Sequence, residues 1–486
     1  MTVRRAFFWA AGGQILSFLL NFASSVIVAR LLTPTEVGTF TIGSAAAALC
    51  TAVTTFNVGA YIISEPDLPS ETMDTAFTIN GLISLGLSLA MLAGAVFSHT
   101  LLGSAEAGHV MLVLSVTPLI GAATFRPATM LQRDLQFKAV TLINLASVVV
   151  GTVATVITAW LGESYMSLAW GVLATSLSGA VGFLVVGARH NGLGVGLKGW
   201  RAMTAFGFRM TTITGAATAT ARLSDIILGR MLGLYALGIY SRASGLANQV
   251  FFNVYGTATR VAFSQLSKDY RERGELKTSF LHSFRLITAL MWPFLVGFAI
   301  LSPVAIHLLY GDKWMSAALP LALLLLAQTV TLAFGMNWEL FVIRKETATQ
   351  TRIELLRNIA GLTTFSIGAL FSVGAAAAGR ILDNLIGLLF YRKHVQRLSG
   401  ADSSEIAQVY REGLALTVAA VLPALLLMIG EDWDRRTPLA AVVVAVMAGV
   451  ACWYGVLVRL GHPLAHELTL LARKLLRLQP SQGGAR

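Results

Sequence analysis

The sequence predicts an all-α polytopic membrane protein with about 14 transmembrane helices. Two parallel six-helix lobes would surround a central cavity, and two further helices would follow at the C-terminal end. This fold class is predicted by the composition, by the recurring apolar runs and by an internal repeat. Of the 486 residues, 55% are hydrophobic and only 12% are charged, with a mean hydropathy of +0.70, whereas soluble proteins carry roughly 25% charged residues. Most of the surface therefore does not face water, which excludes a soluble enzyme, a nucleic-acid-binding protein and a disordered scaffold.

Apolar runs long enough to cross a bilayer follow one another along the chain. A membrane-spanning helix needs about 20 predominantly apolar residues. The predicted spans lie near 6–32, 39–63, 74–101, 109–125, 139–161, 166–188, 203–229, 240–263, 281–309, 316–343, 353–375, 377–391, 412–430 and 438–459. The first run is too long for the apolar region of a signal peptide and a second span follows at once, so we predict that it is a membrane helix.

Lysine and arginine are distributed unequally between the two sets of loops. If the N-terminus is cytoplasmic, five of the six inner loops between spans are basic, as is the C-terminal tail. Three outer loops carry no Lys or Arg: Thr33–Gly38, Gly103–Gly108 and Gly162–Tyr165. The acidic inner loop 65–71 and the outer pair Arg435 and Arg436 are exceptions. Because cytoplasmic loops are enriched in Lys and Arg, we predict that both termini are cytoplasmic and that the net charge of +12 reflects topology.

Two segments 200 residues apart have similar sequences. In Ile27–Ala46 and Ile227–Leu246, Arg30 matches Arg230 and Gly38 matches Gly238. Six predicted spans separate the copies, so the two copies have the same orientation, which is typical of parallel lobes related by an axis along the membrane normal. The predicted domains are an N-terminal lobe at 1–200, a C-terminal lobe at 201–400, two added helices at 401–460 and a basic cytoplasmic tail at 461–486.

Duplicated lobes with a site between them favour transport by alternating access. There is no phosphate-binding GxxxxGK[ST] loop, and the GxGxxG pattern at Gly194–Gly199 lacks the βαβ context of a nucleotide site. Cys50 and Cys452 lie in apolar runs and suggest neither a disulfide nor a metal site. We therefore predict a transporter without catalytic residues, metal or cofactor, driven by an ion gradient, by the substrate gradient or by consumption of the product.

Charged and amide side chains inside the spans are candidates for the substrate cavity, because charge at a helix centre costs at least about 2.5–3.5 kcal/mol. On a helix with about 100° per residue, four of these residues fall within about 20° of one line. The four are Arg242, Gln249, Asn253 and Arg260. They would line a cationic cavity, or the arginines would reach the membrane surface while the amides bond neighbouring helices.

The seventh span adds three further candidates, Arg209, Arg222 and Asp225. Arg222 and Asp225 are three residues apart and can form an ion pair, which would hold a packed interface or open when a substrate competes. Because planar guanidinium groups suit phosphate oxygens, these arginines favour a substrate with an anionic head and a lipid tail.

Two carboxylates are candidates for coupling to a proton or sodium gradient, namely Glu339 and Asp225. On the tenth span, Glu339 would share a face with Gln328, Thr331 and Gly335. Glu339 also lies five residues before Arg344, so an interfacial ion pair is an equal alternative.

Four motifs resemble the polysaccharide-transporter branch of the MOP flippase superfamily, and especially its Wzx-type flippases, including the colanic-acid and succinoglycan exporters. They are LQRDLQFK at Leu131–Lys138, LGLYALGIYSRA at Leu232–Ala243, FSQLS at Phe263–Ser267 and YGDKW at Tyr310–Trp314. They occur in family order, and the resemblance covers at least residues 20–345.

The resemblance implies a V-shaped pair of six-helix bundles around a cationic cavity and a function without enzymatic chemistry. It implies flipping of undecaprenyl-pyrophosphate-linked oligosaccharide repeat units across the bacterial inner membrane, for exopolysaccharide, capsule or O-antigen synthesis. The implied partners are a polymerase and an export and chain-length apparatus, with membrane lipids around the protein and no nucleic acid.

Two alternative functions remain open. Lipid II flippases of the superfamily carry an Arg-Asp pair in the first helix, where this sequence has Ser24 and Ser25; this difference argues against a lipid II role. A MATE-like multidrug/ion antiporter is the other alternative, although the line of arginines would repel the cationic drugs that such pumps favour.

Overall fold

The computed structural model describes the backbone of residues 3–54, 58–64, 69–192 and 194–469. Side chains are described in these ranges except at 3–11, 14, 51–54, 58, 60, 64, 202, 206, 208–214, 216 and 217. The predicted tail therefore lies outside the described residues from 470 onward. The described chain is helical and contains no β-strand.

The helices, in chain order, are α1 Val3–Leu31, α2 Pro34–Thr54, α3 Val58–Ser64, α4 Ser70–Val96, α5 Ser98–Leu102, α6 Glu106–Leu114, α7 Thr117–Arg133, α8 Phe137–Trp160, α9 Met166–Val186, α10 Trp200–Arg273, α11 Lys277–Ile300, α12 Ser302–Tyr310, α13 Ala318–Leu332, α14 Asn337–Ile343, α15 Thr347–Ala369, α16 Val373–Ser399, α17 Ser403–Gly430 and α18 Leu439–Arg459. Two 3₁₀-helices lie at Ala188–His190 and Asp312–Ala317. Within the described residues, ten helical stretches are long and apolar enough to cross a membrane. The polytopic all-α class is thus confirmed, and the number fourteen stays a prediction.

Helix starts follow local sequence signals. At the start of α2, the backbone N–H of Thr33 donates to Glu36 Oε2 at 2.7 Å, and the N–H of Glu36 points back to Thr33 Oγ1 at 3.4 Å. Asp402 and Glu405 form the equivalent reciprocal pair at the start of α17. These capping boxes satisfy backbone donors that have no partner inside the helix, and they fix where each helix begins.

The longest helix is divided at a glycine. Helix α10 has 74 residues, and at about 1.5 Å per residue an unbroken helix of this length would far exceed the roughly 30 Å hydrocarbon core. Gly233 has φ 87° and ψ 173°, a conformation that glycine adopts without the steric cost of a Cβ. The break separates the predicted spans 203–229 and 240–263, as the sequence pattern predicts.

The tenth predicted span is interrupted, which the sequence pattern does not predict. Helix α13 ends at Leu332, α14 begins at Asn337, and Met336 between them has φ 59°. Tyr255 accepts the N–H of Met336 at 2.9 Å, and Tyr410 donates to the carbonyl of Ala333. Non-helical backbone is tolerated at membrane depth when protein groups satisfy it, and here two tyrosines do so.

The chain packs into two compact units. The first comprises Met1–Arg242 with Phe365–Ala376, and the second comprises Ala243–Thr364 with Ala377–Arg486. These units reflect packing, whereas the predicted domain boundaries reflect the sequence repeat, so the predicted boundaries stay a prediction.

Inside the first unit, the two copies of the repeat touch one another through equivalent residues. A Cβ on Gly38 would lie 1.8 Å from the carbonyl oxygen of Leu234, and a Cβ on Gly238 would lie 1.8 Å from that of Pro34. Thr41 Oγ1 lies 3.4 Å from Ser241 Oγ. The first two contacts exchange places when each residue number is shifted by 200, and Thr41 and Ser241 are themselves 200 positions apart. The packing of the two copies therefore has local two-fold symmetry, as the sequence repeat implies.

The glycine-rich segment between α9 and α10 packs against the start of α4. A Cβ on Gly194 would lie 1.8 Å from Asp74 Oδ1, and Asp74 pairs with Arg126 at 3.0 Å. Lys198 pairs with Glu71 at 2.7 Å, and this hydrogen bond raises the pKa of the Lys198 ammonium. The GxGxxG pattern thus allows the segment to approach a neighbouring helix closely.

Candidate functional site

The second unit contains an amphipathic cavity of about 1050 Å³. The second part of α10 and helix α11 form its walls, and Leu464 and Glu467 complete it after α18. The apolar wall includes Val254, Val261, Leu286 and Leu290. Polar side chains gather nearer the α10–α11 turn, namely Gln265, Asp269, Arg273, Thr278, Ser279 and His282. A cavity with one polar end and a long apolar wall fits an amphiphile.

Asp269 is the centre of the polar end. Gln265 donates through Nε2 to both carboxylate oxygens of Asp269 at 3.0 Å, and the hydroxyl of Ser279 donates to Oδ2. These hydrogen bonds join α10 to α11 across the turn at Gly274. The carboxylate is therefore held in place by neutral donors.

The amides predicted for the eighth span lie next to this cavity or line it. Asn253 lines the cavity and donates through Nδ2 to the carbonyl of Gln249 at 2.6 Å. Thr257, one turn further on, donates to the carbonyl of Asn253 at 2.9 Å and also lines the cavity. The structure thus brings Gln249 and Asn253 together on one face of α10.

Arg260 is exposed and bonds to its own helix. Its Nε donates to the carbonyl of Gly256 at 3.0 Å, and an Nη lies 3.4 Å from Thr257 Oγ1. These interactions hold the guanidinium along the helix surface, where its remaining N–H groups can meet an anion or solvent.

Arg242 belongs to the first unit. Its guanidinium donates to the hydroxyl of Ser25 at 3.0 Å, with the Ser25 carbonyl at 3.4 Å. Ser25 is one of the two serines that stand where lipid II flippases carry an Arg-Asp pair, so Arg242 reaches α1 at that place.

The predicted Arg222–Asp225 ion pair is present, with 3.2 Å between Nη1 and Oδ2. The Arg222 side chain is 42% exposed, while that of Asp225 is 13% exposed. Arg222 is therefore the more exposed partner of the pair, and its guanidinium is accessible to a competing anion. The side chain of Arg209 lies outside the described residues.

Glu339 lies in the first turn of α14 and is only 7% exposed. Because the span is interrupted between Leu332 and Asn337, Glu339 belongs to a different helix from Gln328 and Thr331. The interruption itself is not expected from the sequence, and the shared face of these residues stays a prediction. A buried carboxylate beside an interrupted membrane helix keeps Glu339 a candidate for ion coupling.

The residues at the polar end of the cavity are not among the candidates chosen from the sequence. The predicted eighth span ends at 263, where the sequence turns polar, but α10 continues to Arg273. Gln265, Asp269 and Arg273 continue the four-residue spacing of Asn253, Thr257 and Val261. That spacing is a signal which would have extended the helix and its polar face.

Comparisons with known proteins agree with this architecture. The ExoT succinoglycan biosynthesis transport protein of Rhizobium meliloti is 25% identical over 68% of this chain and 67% of its own length. The WzxC lipopolysaccharide biosynthesis protein of Escherichia coli is 21% identical over 63% of either chain. This chain thus spans about two thirds of the length of these relatives.

A solved structure of the lipid II flippase MurJ, in an inward closed conformation, has the same fold. Its TM-score is 0.67 over 97% of this chain and 100% of that chain, at 13% sequence identity. This similarity shows that the two chains share a fold, in agreement with the helix order above. A family model described as polysaccharide biosynthesis protein matches residues 27–319. The match covers more than half of the sequence, and the chain therefore belongs to this polysaccharide biosynthesis protein family.

Proposed function

We propose that this protein flips a polyprenyl-pyrophosphate-linked oligosaccharide repeat unit across a bacterial inner membrane by alternating access, for exopolysaccharide, capsule or O-antigen synthesis. The amphipathic cavity in the second unit is the observation that carries the proposal. Its polar end and apolar wall match the two parts of a lipid-linked sugar. Membership of the family and the likeness to ExoT and WzxC support the substrate class.

Arginine side chains supply the charge that such a substrate needs. Arg260, exposed beside the cavity-lining Thr257, is the group that would meet the pyrophosphate or acidic sugars at the cavity of the second unit. Arg222 of the first unit, 42% exposed beside Asp225, is a separate candidate for binding an anionic group of the substrate. Charge-assisted hydrogen bonds to phosphate are roughly twice as strong as neutral ones. Arg242 would hold α10 against α1 through its hydrogen bond to Ser25, in addition to any direct contact with the substrate.

The proposal includes a fixed orientation and a mechanism without covalent chemistry. Both termini are cytoplasmic in this proposal, because the basic loops alternate with outer loops that lack Lys and Arg. The protein is a transporter rather than an enzyme. A polymerase and an export and chain-length apparatus would consume the flipped unit, and Glu339 or Asp225 would couple the cycle to a proton or sodium gradient.

The test is complementation of a strain that lacks its own polysaccharide flippase. Arg222→Ala and Arg260→Ala should each reduce surface polymer about tenfold or more. The reason is that a hydrogen bond to a charged group contributes about 1.5–3 kcal/mol, and 1.4 kcal/mol is a factor of ten. Lys substitutions should restore only part of the export, because Lys lacks the planar fork.

Arg459→Ala, in the last turn of α18 and exposed, is the matched control and should export normally. Protein levels in the membrane are measured for every variant. Full export by a well-expressed Arg242→Ala/Arg260→Ala double variant would remove the site assignment. Export by Glu339→Gln that keeps its full dependence on the proton gradient would remove Glu339 as a coupling residue.

A further inference from the structure

A second carboxylate in the second unit has surroundings unlike those of the cavity. Asp383 in α16 is 8% exposed. Its carboxyl group lies against the backbone of Gly361 in α15, where a Cβ on Gly361 would be 2.7 Å from the carboxyl carbon and 2.8 Å from both oxygens. Only a glycine at 361 leaves room for this carboxyl group, so the close approach is built into both helices.

The hydrogen bonding of Asp383 is incomplete. No described residue donates to its buried Oδ1, and Oδ2 lies 3.9 Å from Arg380 Nη1, which is beyond hydrogen-bond distance. A buried ionised carboxylate is costly unless it is paired and hydrogen-bonded. The arrangement around Asp383 therefore fits a carboxyl group that carries a proton for part of the cycle.

Two of the charged residues near Asp383, Glu354 and Arg357, form an ion pair with each other. Glu354 in α15 accepts the Tyr391 hydroxyl at 2.7 Å and Arg357 Nε at 3.2 Å, and the Arg357 guanidinium lies 5.9 Å from the centre of the Phe334 ring. Arg357, Glu354 and Arg380 are charged residues of α15 and α16 near Asp383. Burial of Asp383 favours its neutral form, whereas the two arginines favour its ionised form. These opposing effects bring the free energies of the protonated and ionised states closer together.

We propose that Asp383 is a proton-binding site that controls the packing of α15 against α16. A proton needs one acceptor, which Oδ1 provides. A metal ion needs several oxygen ligands, whereas two arginines stand near Asp383 and the described residues contain no cluster of three His, Cys, Asp or Glu able to hold a metal. The expected effect of this site on export rests on the proposed flipping function, whereas proton binding itself does not.

Proton uptake and release would change the helix packing in a definite way. Uptake forms an O–H bond on Oδ1 and leaves Arg380 at a distance. Release leaves a carboxylate that attracts Arg380 into direct hydrogen bonding. Because the Asp383 carboxyl group packs directly against the backbone of Gly361, a shift of this group towards Arg380 would change the packing of α15 against α16.

The first experiment measures the melting temperature of the purified full-length protein in lipid nanodiscs as a function of pH. If native Asp383 holds a proton that the unfolded chain has released, the protein gains stability as pH falls towards the value at which the unfolded Asp titrates, about 3.9. Asp383→Asn, a mimic of the neutral acid, should lose that part of the pH dependence. Asp432→Asn, in an exposed loop, is the control and should keep it.

A second variant keeps the test decisive if Asp383→Asn does not fold. Arg380→Gln removes the counter-charge of the ionised form, so the midpoint of the pH-dependent stability should move about one pH unit upward. An unmoved midpoint, or an Asp383→Asn curve parallel to that of the wild type, would overturn the proton site. Stabilisation by Na⁺ over K⁺ at equal ionic strength, absent from Asp383→Asn, would overturn it in favour of a sodium site.

Export measurements separate this inference from the proposed function. In the complementation strain, the export rate of Asp383→Asn should depend less steeply on the proton gradient than that of the wild type. The melting experiment requires no substrate, so an absent Asp383 contribution refutes the proton site without bearing on flipping. Failure of the wild-type chain to complement any flippase-deficient strain refutes the flipping proposal without bearing on proton binding.

Discussion

At the scale of single residues, the partners of each charge decide its role. Arginines that look alike in the sequence differ in the structure: Arg260 bonds its own helix, Arg242 reaches α1, and Arg222 pairs with Asp225. A charged side chain inside a membrane helix costs free energy. Each of these hydrogen bonds or ion pairs reduces that cost. The sequence can locate the charges, but their partners depend on neighbouring helices.

One ion pair outside the apolar spans gives a pH prediction. Glu346, between α14 and α15, accepts two hydrogen bonds from the Arg397 guanidinium, and this pairing lowers the pKa of the Glu346 carboxyl. Its contribution to stability is present above the pKa of an unfolded Glu, about 4.3, and is lost as pH falls through the lower native value.

Glu346→Gln should therefore lower the melting temperature at neutral pH and have no effect in strong acid. The change should be small and should shrink in high salt, because exposed ion pairs are screened. Melting curves at several pH values and salt concentrations provide the measurement. A larger effect of Glu346→Gln in acid than at neutral pH would contradict the assigned direction.

At the scale of elements, interruptions matter as much as helices. Helix α10 is divided at Gly233 by a backbone conformation suited to glycine, while the α13–α14 interruption is maintained by Tyr255 and Tyr410 from other helices. The first interruption is marked by a local residue preference. The second depends on hydrogen bonds that form only after the helices pack.

The two tyrosines give a prediction for the interruption. Tyr255→Phe or Tyr410→Phe should each cost about 1–3 kcal/mol, because a backbone group in a buried setting loses its hydrogen-bond partner. Tyr454→Phe, with Tyr454 45% exposed, is the control and should leave stability unchanged. Denaturation of the purified variants in detergent measures the difference, and equal stability of all three variants would refute the role of the tyrosines.

The interface between the repeat copies gives a second prediction at this scale. Since the Thr41 and Ser241 hydroxyls are 3.4 Å apart, cysteines at both positions should form a disulfide on mild oxidation. The experiment uses a chain in which Cys50 and Cys452 are replaced by Ser. Cross-linking should stop export, and a reductant should restore it, if these helix starts separate during transport.

Thr41→Cys alone is the control and should export under oxidising conditions. Undiminished export by a fully cross-linked double variant would show that the two helix starts stay together throughout the cycle. Gly38→Ala or Gly238→Ala should in addition destabilise the protein, since each added methyl group would overlap a backbone carbonyl.

At the scale of the whole molecule, charge asymmetry and hydropathy describe how the chain is placed in a membrane. Ten helical stretches of the described chain are apolar enough to cross a bilayer, and the basic residues of the sequence concentrate in alternate loops. Many large apolar side chains are exposed, among them Trp160 at 86% and Phe371 at 75%. Such exposure suits a surface surrounded by lipid rather than water.

Cysteine labelling in intact cells tests the proposed orientation. In a chain without its native cysteines, Glu163→Cys between α8 and α9 should react with a membrane-impermeant maleimide. Glu275→Cys between α10 and α11 should react only after the cells are permeabilised. The reverse pattern would invert the topology and with it the direction assigned to transport.

The order of residues alone specifies the helical class, the approximate spans, the repeat and the positions of the charged residues. These features are local or additive: a long apolar run in lipid forms a helix because its backbone groups have no water to bond, and the two copies of the repeat share a few residues at equivalent positions. The close contact of Gly38 with Leu234 also has its counterpart 200 positions away, where Gly238 contacts Pro34.

The packing of the helices, by contrast, sets how far α10 continues, where the tenth span is interrupted, and which groups surround Asp269, Glu339 and Asp383. Several of these features depend on partners in other helices, such as Tyr410 for Ala333, Ser279 for Asp269 and Gly361 for Asp383. Hydrogen bonding and close packing involve two or more elements at once. Periodicity along one element therefore indicates which side chains share a face, whereas the arrangement of the neighbouring helices determines what that face meets.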